Sequence, residues 1–233
     1  MRLLALDTST EACSAALLLG DGTVRLRFTL TERGHAELIL PMIDGLLAEC
    51  AVRLGELDGL AFGRGPGAFT GLRVAAGVAQ GLALGADLPV APVSSLAAVA
   101  AQVPVTHEGE AVLVCNDARM GELYHAVFVC TPGEEEPRLL GAERVSPPGR
   151  IEVAEGVRHV AGNGLARHPE LRTRLVAAGL QFHDGLFPRA DAIARIGARL
   201  LRMGHGVAAT EALPTYVRDD VARPSPGPVT RLS

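Results

Sequence analysis

The spacing of apolar residues along this chain changes in a way that separates strands from helices. Residues 2–6 (RLLAL) are a nearly unbroken apolar run ending at Asp7, which predicts a strand buried on both faces. Residues 11–19 (EACSAALLL) predict a second strand, and GDG at 20–22 is a hairpin signal leading into a third over 23–30. A helical period follows over 36–52, with apolar residues at 39, 43, 46, 47 and 50. A short strand over 59–62 (GLAF), a helix over 70–86, a strand over 89–93 (PVAPV) and a helix over 95–102 complete the first half.

The second half opens as the first does. Residues 111–130 (AVLVCNDARMGELYHAVFVC) read as an apolar strand ending in Asp117, a tight turn and a returning strand, parallel to RLLALDTSTEACSAALLL. A strand over 157–161, the turn GNG, and helices over 164–178 and 188–204 follow. Repetition of one supersecondary unit indicates internal duplication, with a junction near 103–110. The expected organisation is a ribonuclease H-like N-terminal lobe over 1–105 and a smaller, degenerate lobe over 106–233, with a flexible Pro-rich tail from about 222. Three antiparallel strands followed by strand–helix alternation, present twice, match the duplicated α/β fold of actin-like ATPases and sugar kinases: two lobes, each a mixed sheet flanked by helices. In that fold the hairpins after the strand-terminal aspartates cradle phosphates.

Composition narrows the chemistry. A 48 % apolar and 21 % charged chain of 233 residues with net charge −4 is a globular protein without a broad basic surface. All 22 basic residues are arginine, which excludes Schiff-base chemistry and the phosphate-gripping lysine of a Walker loop. The four cysteines (13, 50, 115 and 130) form no CxxC pair and read as free buried thiols of a cytoplasmic protein. No apolar stretch is long enough to span a bilayer, so no membrane association is expected. The seven histidines lack metal-ligand spacings and no GxSxG elbow occurs, so neither a metal nor a catalytic site is expected.

Two stretches could still carry chemistry. GRGPGAFTGLRVAAGVAQGLAL (63–84) looks like a phosphate loop opening a helix, but after Gly63 and Gly65 the third GxGxxG position holds Ala68. The alternative is that Gly65 and Gly67 supply positive φ beside Pro66 and turn the chain into the helix. In DTST, Asp7 with Thr8, Ser9 and Thr10 is either a vestigial phosphate loop or a plain polar turn, and spacing alone leaves both open. The helix over 70–86 carries small residues on successive turns, a surface suited to close helix approach. On the helix over 36–52, Leu38 and Met42 fall off the main apolar stripe, which implies a deep position or a partner.

LLALDTST, RGHAELILPMID (33–44), GRGPGAFTGLRVAAGVAQGLA, VSSLAA (93–98), NDARMGELYHAVF (116–128) and PTYVRDDVA (214–222) together resemble the TsaB (YeaZ) family, in order over nearly the whole chain. The resemblance implies a non-catalytic, structural and activating subunit of the bacterial machinery that attaches threonylcarbamoyl to the adenosine next to the anticodon in tRNAs reading codons that begin with A. Its implied partners are the catalytic paralogue TsaD and the ATPase TsaE, with a homodimer when alone and tRNA contacted only through the complex. No cofactor is implied for the chain itself; ATP and metal belong to the partner subunits. Ser95 and Val99 stand where the paralogue's motif has metal-binding histidines. The resemblance also implies that the two helices pair with the same helices of a partner, through Leu38, Met42, Arg73, Gly77, Gln80 and Leu84. Two other readings remain: a glycoprotease-like peptidase, and a small-molecule kinase of the actin-like fold.

Overall fold

The computed structural model describes residues 1–218. The first half builds β1 (Leu3–Asp7), β2 (Ala12–Leu18), β3 (Val24–Leu30), α1 (His35–Glu49), β4 (Gly59–Gly65), α2 (Phe69–Ala86), β5 (Val90–Ser94) and α3 (Ser95–Ala100). The second builds β6 (Glu110–Asp117), β7 (Leu123–Cys130), β8 (Arg138–Ser146), β9 (Val157–Gly162), α4 (Pro169–Ala177), β10 (Gln181–Asp184) and α5 (Ala190–Arg202). The first sheet runs β3-β2-β1-β4-β5 and the second β8-β7-β6-β9-β10, the same order read through the repeat. In each, the central strand is antiparallel to its hairpin partner and parallel to the strand on its other side (β1 with β2 and β4, β6 with β7 and β9). This is the duplicated actin-like, ribonuclease H-like arrangement.

Burial explains the layers. Every residue of β1 and β2 is buried, because helices cover both faces of the first sheet. Leu4, Leu6, Leu17, Leu60 and Phe62 meet α1 and α2 on one face, through Ile39, Ile43, Leu46, Ala75, Ala79 and Ala83. Ala5, Ala61 and Val93 on the other face join Val112, Val114 and Phe128 of the second sheet in one core that encloses α3 and α5. α5 comes from the second half of the chain yet packs on the first sheet; Ala190 N donates to Ser14 Oγ at 3.1 Å, and a side chain at Gly197 would press into Ala61. α4 covers the remaining face of the second sheet with Leu171 and Leu175.

Some elements depart from expectation. The helix predicted over 36–52 stops at Glu49, where Cys50 caps it and Ala51 takes φ 51°. The helix predicted over 164–178 begins only at Pro169, which fits the first helical turn, after a separate turn at Leu165–Arg167. β8 and β10 have no counterpart in the apolar pattern. β8 is an edge strand exposed along most of its length, interrupted by Gly141 at φ 85°, so neither alternation nor a continuous run announces it. Cys13, Cys115 and Cys130 are buried, but Cys50 is only half so. No helix among the described residues is long and apolar enough to cross a membrane. The tail expected from about 222 lies outside the described residues.

Candidate partner interface and inter-lobe cleft

The turn after β1 and the glycine-rich segment explain one another. Thr8 Oγ1 donates to Gly71 O at 2.7 Å, and Ala68 N donates to Ser9 O at 2.7 Å, locking the turn to the start of α2. A side chain at Gly63 would overlap Asp7, one at Gly67 would overlap Ser9, and one at Gly71 would overlap the Thr8 carbonyl. The spacing of four therefore lets the turn close in, by the Asp7 side chain at Gly63 and by backbone at Gly67 and Gly71. Of the two glycines expected to supply positive φ, Gly65 does so at 112°; Gly67 is needed instead because Ser9 leaves no room for a β-carbon.

Asp7 is wholly buried, and its hydrogen bonds are internal. Oδ1 accepts from Ser9 N (2.8 Å) and Ser9 Oγ (2.7 Å), and Oδ2 accepts from Ser95 Oγ (3.0 Å). Burial pushes its carboxyl up to about 6, and the three hydrogen bonds only partly offset this. Thr8 and Ser9 are buried with it, and Thr10 Oγ1 accepts from Ala12 N at 3.1 Å. The geometry thus gives the DTST turn a structural task. Ser95 is held by Asp7, and Val99 is fully buried in the central core. Neither side chain reaches solvent.

A cleft of about 450 Å³ opens between the lobes, lined by Thr8–Glu11, the start of α1, Thr70 and Val74 of α2, and Asp117, Arg119 and Tyr124 of the second lobe. Asp117, the counterpart of Asp7, accepts from Arg119 N at 2.8 Å and pairs with Arg167 at 3.0 Å. Tyr124 OH donates to Gly67 O at 3.2 Å across the two lobes.

The six expected interface residues divide. On α2, Gly77 is exposed with open space above it, as are Gly81 and Gly85, and Leu84 is 72 % exposed. On α1, Leu38 and Met42 are half-buried against the core, and Leu40 between them is exposed. Gln80 and Arg73 face their own chain: Gln80 Nε2 donates to Ala212 O at 3.1 Å, and Arg73 Nε to Tyr216 OH at 3.3 Å. Arg73 also stacks over the Phe69 ring at 4.0 Å. Helical spacing groups Arg73, Gly77, Gln80 and Leu84 on one side of α2, but no periodicity announces the segment over 207–218 lying along that side.

One polar cluster has no sequence signal, because its members come from three strands and a loop. Glu110 on β6 accepts from His159 Nε2 on β9 (2.6 Å) and contacts His107 Nδ1 (2.7 Å), and His159 Nδ1 meets His183 Nε2 on β10 at 3.1 Å. The His159 and His107 hydrogen bonds hold the Glu110 carboxyl down at about 2, and burial next to His159 lowers His183. No group of three or more His, Cys, Asp or Glu among the described residues is placed to hold a metal ion.

Comparison with known proteins places this geometry in context. Residues 29–219 match the family model described as TsaD, tRNA N6-adenosine threonylcarbamoyltransferase. The chain is 40 % identical, over 95 % of its length and 96 % of the relative's, to the tRNA threonylcarbamoyladenosine biosynthesis protein TsaB of Escherichia coli K12. It is 38 % identical to TsaB of Haemophilus influenzae over 95 % of both chains. The solved structure of YeaZ from Pseudomonas aeruginosa superimposes with a TM-score of 0.79 at 39 % identity, covering 92 % of this chain and 99 % of that one.

Proposed function

The chain belongs to the TsaB (YeaZ) family, and from that premise we propose that it is a structural and activating subunit in tRNA threonylcarbamoyladenosine biosynthesis. It acts by pairing with an actin-like catalytic paralogue of the TsaD kind, with a TsaE-type ATPase joining the assembly. The observation that carries this reading is the outer face of α2, where Gly77, Gly81 and Gly85 have open space above them beside the exposed Leu84. Small residues on successive turns let a partner helix approach toward the low end of the ~8–10 Å range of axis separations. The half-buried Leu38 and Met42, one turn apart on α1, widen that face. The chain does not itself transfer the group: Ser95 and Val99, at the positions of the paralogue's metal-binding histidines, are buried and committed to Asp7 and the core. ATP and metal are supplied by the partner subunits.

The test is a transfer assay with labelled threonylcarbamoyl donor and unmodified tRNA. The chain alone should leave the tRNA unlabelled, and adding it to the catalytic paralogue and ATPase should raise their labelling rate. Label transferred by this chain alone would overturn the reading, and so would a rate indifferent to its presence.

A further inference from the structure

After α5 the chain does not leave the molecule but runs as a strap across both lobes. It starts at Val207, which exchanges backbone hydrogen bonds with Val90 of the first sheet (2.8 and 3.0 Å). Ala212 is fully buried against the α1–α2 side of that sheet, and its carbonyl accepts from Gln80 of α2. Thr215 N donates to Arg64 O at 2.7 Å, and its carbonyl lies so close to Gly65 that a side chain there would collide with it. Tyr216 packs its ring 5.4 Å from that of Phe69 and accepts from Arg73. Val217 then reaches the central core, and Arg218 meets the second lobe. There its guanidinium donates to Ala118 O at 3.2 Å and to Glu122 Oε2 at 2.5 Å, gripping the β6–β7 hairpin.

That hairpin needs a grip. Arg119 and Met120 both adopt left-handed backbone (φ 62° and 53°) ahead of Gly121, conformations that cost non-glycine residues free energy unless the surroundings hold them. Met120 is largely exposed, with Arg218 Nη1 against its sulfur at 3.6 Å. Asp117 and Arg119 of the same hairpin line the cleft.

We propose that the strap over residues 207–218 couples the outer side of α2 to the cleft-lining hairpin of the other lobe. Arg73 and Gln80 are its sensors and Arg218 is its latch. Where α2 serves as the partner face, as proposed above, seating a partner against Arg73 and Gln80 changes how firmly the hairpin is held.

Hydrogen–deuterium exchange of the full chain tests this through the amides of residues 117–123. Arg218→Gln should speed their exchange by at least about tenfold, since local opening is governed by the contacts that close it. Arg218→Lys, which keeps the charge without the forked geometry, should give a smaller increase. Gln80→Ala and Arg73→Gln should speed the same amides although neither residue touches the hairpin, whereas Leu213→Ala, at an exposed strap position, should not. The inference is overturned if Arg218→Gln leaves hairpin exchange unchanged. It is equally overturned if the two α2 variants leave it unchanged, because the strap is then a local anchor only. A final arm adds the catalytic paralogue and should alter exchange at 117–123. Failure of the paralogue to bind would strike the proposed function; binding with no change at the hairpin would strike the coupling.

Discussion

At the scale of single residues, the glycines of α2 and its approach sort into two kinds that composition cannot distinguish. Gly71 faces the Thr8 carbonyl, a backbone atom that cannot step aside, whereas Gly77 faces open space. Gly71→Ala should therefore destabilise the fold by roughly 1–3 kcal/mol, the ordinary range for overpacking. Gly77→Ala should stabilise it by up to about 1 kcal/mol through helix propensity. Urea denaturation of the two variants checks this, and equal effects of the same sign would contradict the packing described. Asp7 gives a second residue-level expectation. Its carboxyl is raised from an ordinary 3.8 to about 6, so the folded chain holds a proton that the unfolded chain has released between those values. Its contribution is thus fully present below about pH 4, is lost as pH rises to about 6, and amounts to at most about 3 kcal/mol. Asp7→Asn keeps the acceptor for Ser9 and can donate to Ser95 Oγ. The variant should lack the parent's loss of stability across pH 4–6; a parallel profile would mean that Asp7 is already ionised at the low end.

At the scale of elements, strands buried on both faces and helices with a sustained period were legible, because layers of helices force apolar runs upon β1, β2 and β6. The duplication was legible for the same reason, through the shared pattern of strand, aspartate, turn and strand. β8 was not, since an exposed edge has no buried face to enforce a pattern. Nor was the strap, whose residues satisfy partners 132 and 143 positions away in sequence, a relation that no local period encodes. The same limit explains the candidate interface: spacing grouped Arg73, Gly77, Gln80 and Leu84 on one side of α2, but only the folded chain shows Arg73 and Gln80 already engaged. Gly77 and Leu84 are the members left wholly open, and Gly77→Phe is the sharper probe. It should leave the thermal midpoint of the isolated chain nearly unchanged. It should weaken partner binding by roughly 1–3 kcal/mol of overpacking, or about one to two decades in Kd. Unfolding of the isolated variant would mean that the position is core, and unchanged binding that the partner sits elsewhere.

At the scale of the whole molecule, the two lobes share one central core and are tied together again by Tyr124 and by the strap. The turn after β1 helps hold α2 in place, with Asp7, Thr8 and Ser9 buried and hydrogen-bonded. On its other side α2 presents Gly77, Gly81 and Gly85 beside Leu84. A specific, stable pairing buries about 1,600 Å² in total, which calls for both α1 and α2 on each side. Pairing through those helices is checked by light scattering of an equimolar mixture of this chain with the catalytic paralogue. The expected result is one species with the summed mass of one copy of each chain, and a smaller share of it at the same concentrations when Gly77→Phe replaces the parent; two species eluting at their separate masses would overturn the pairing.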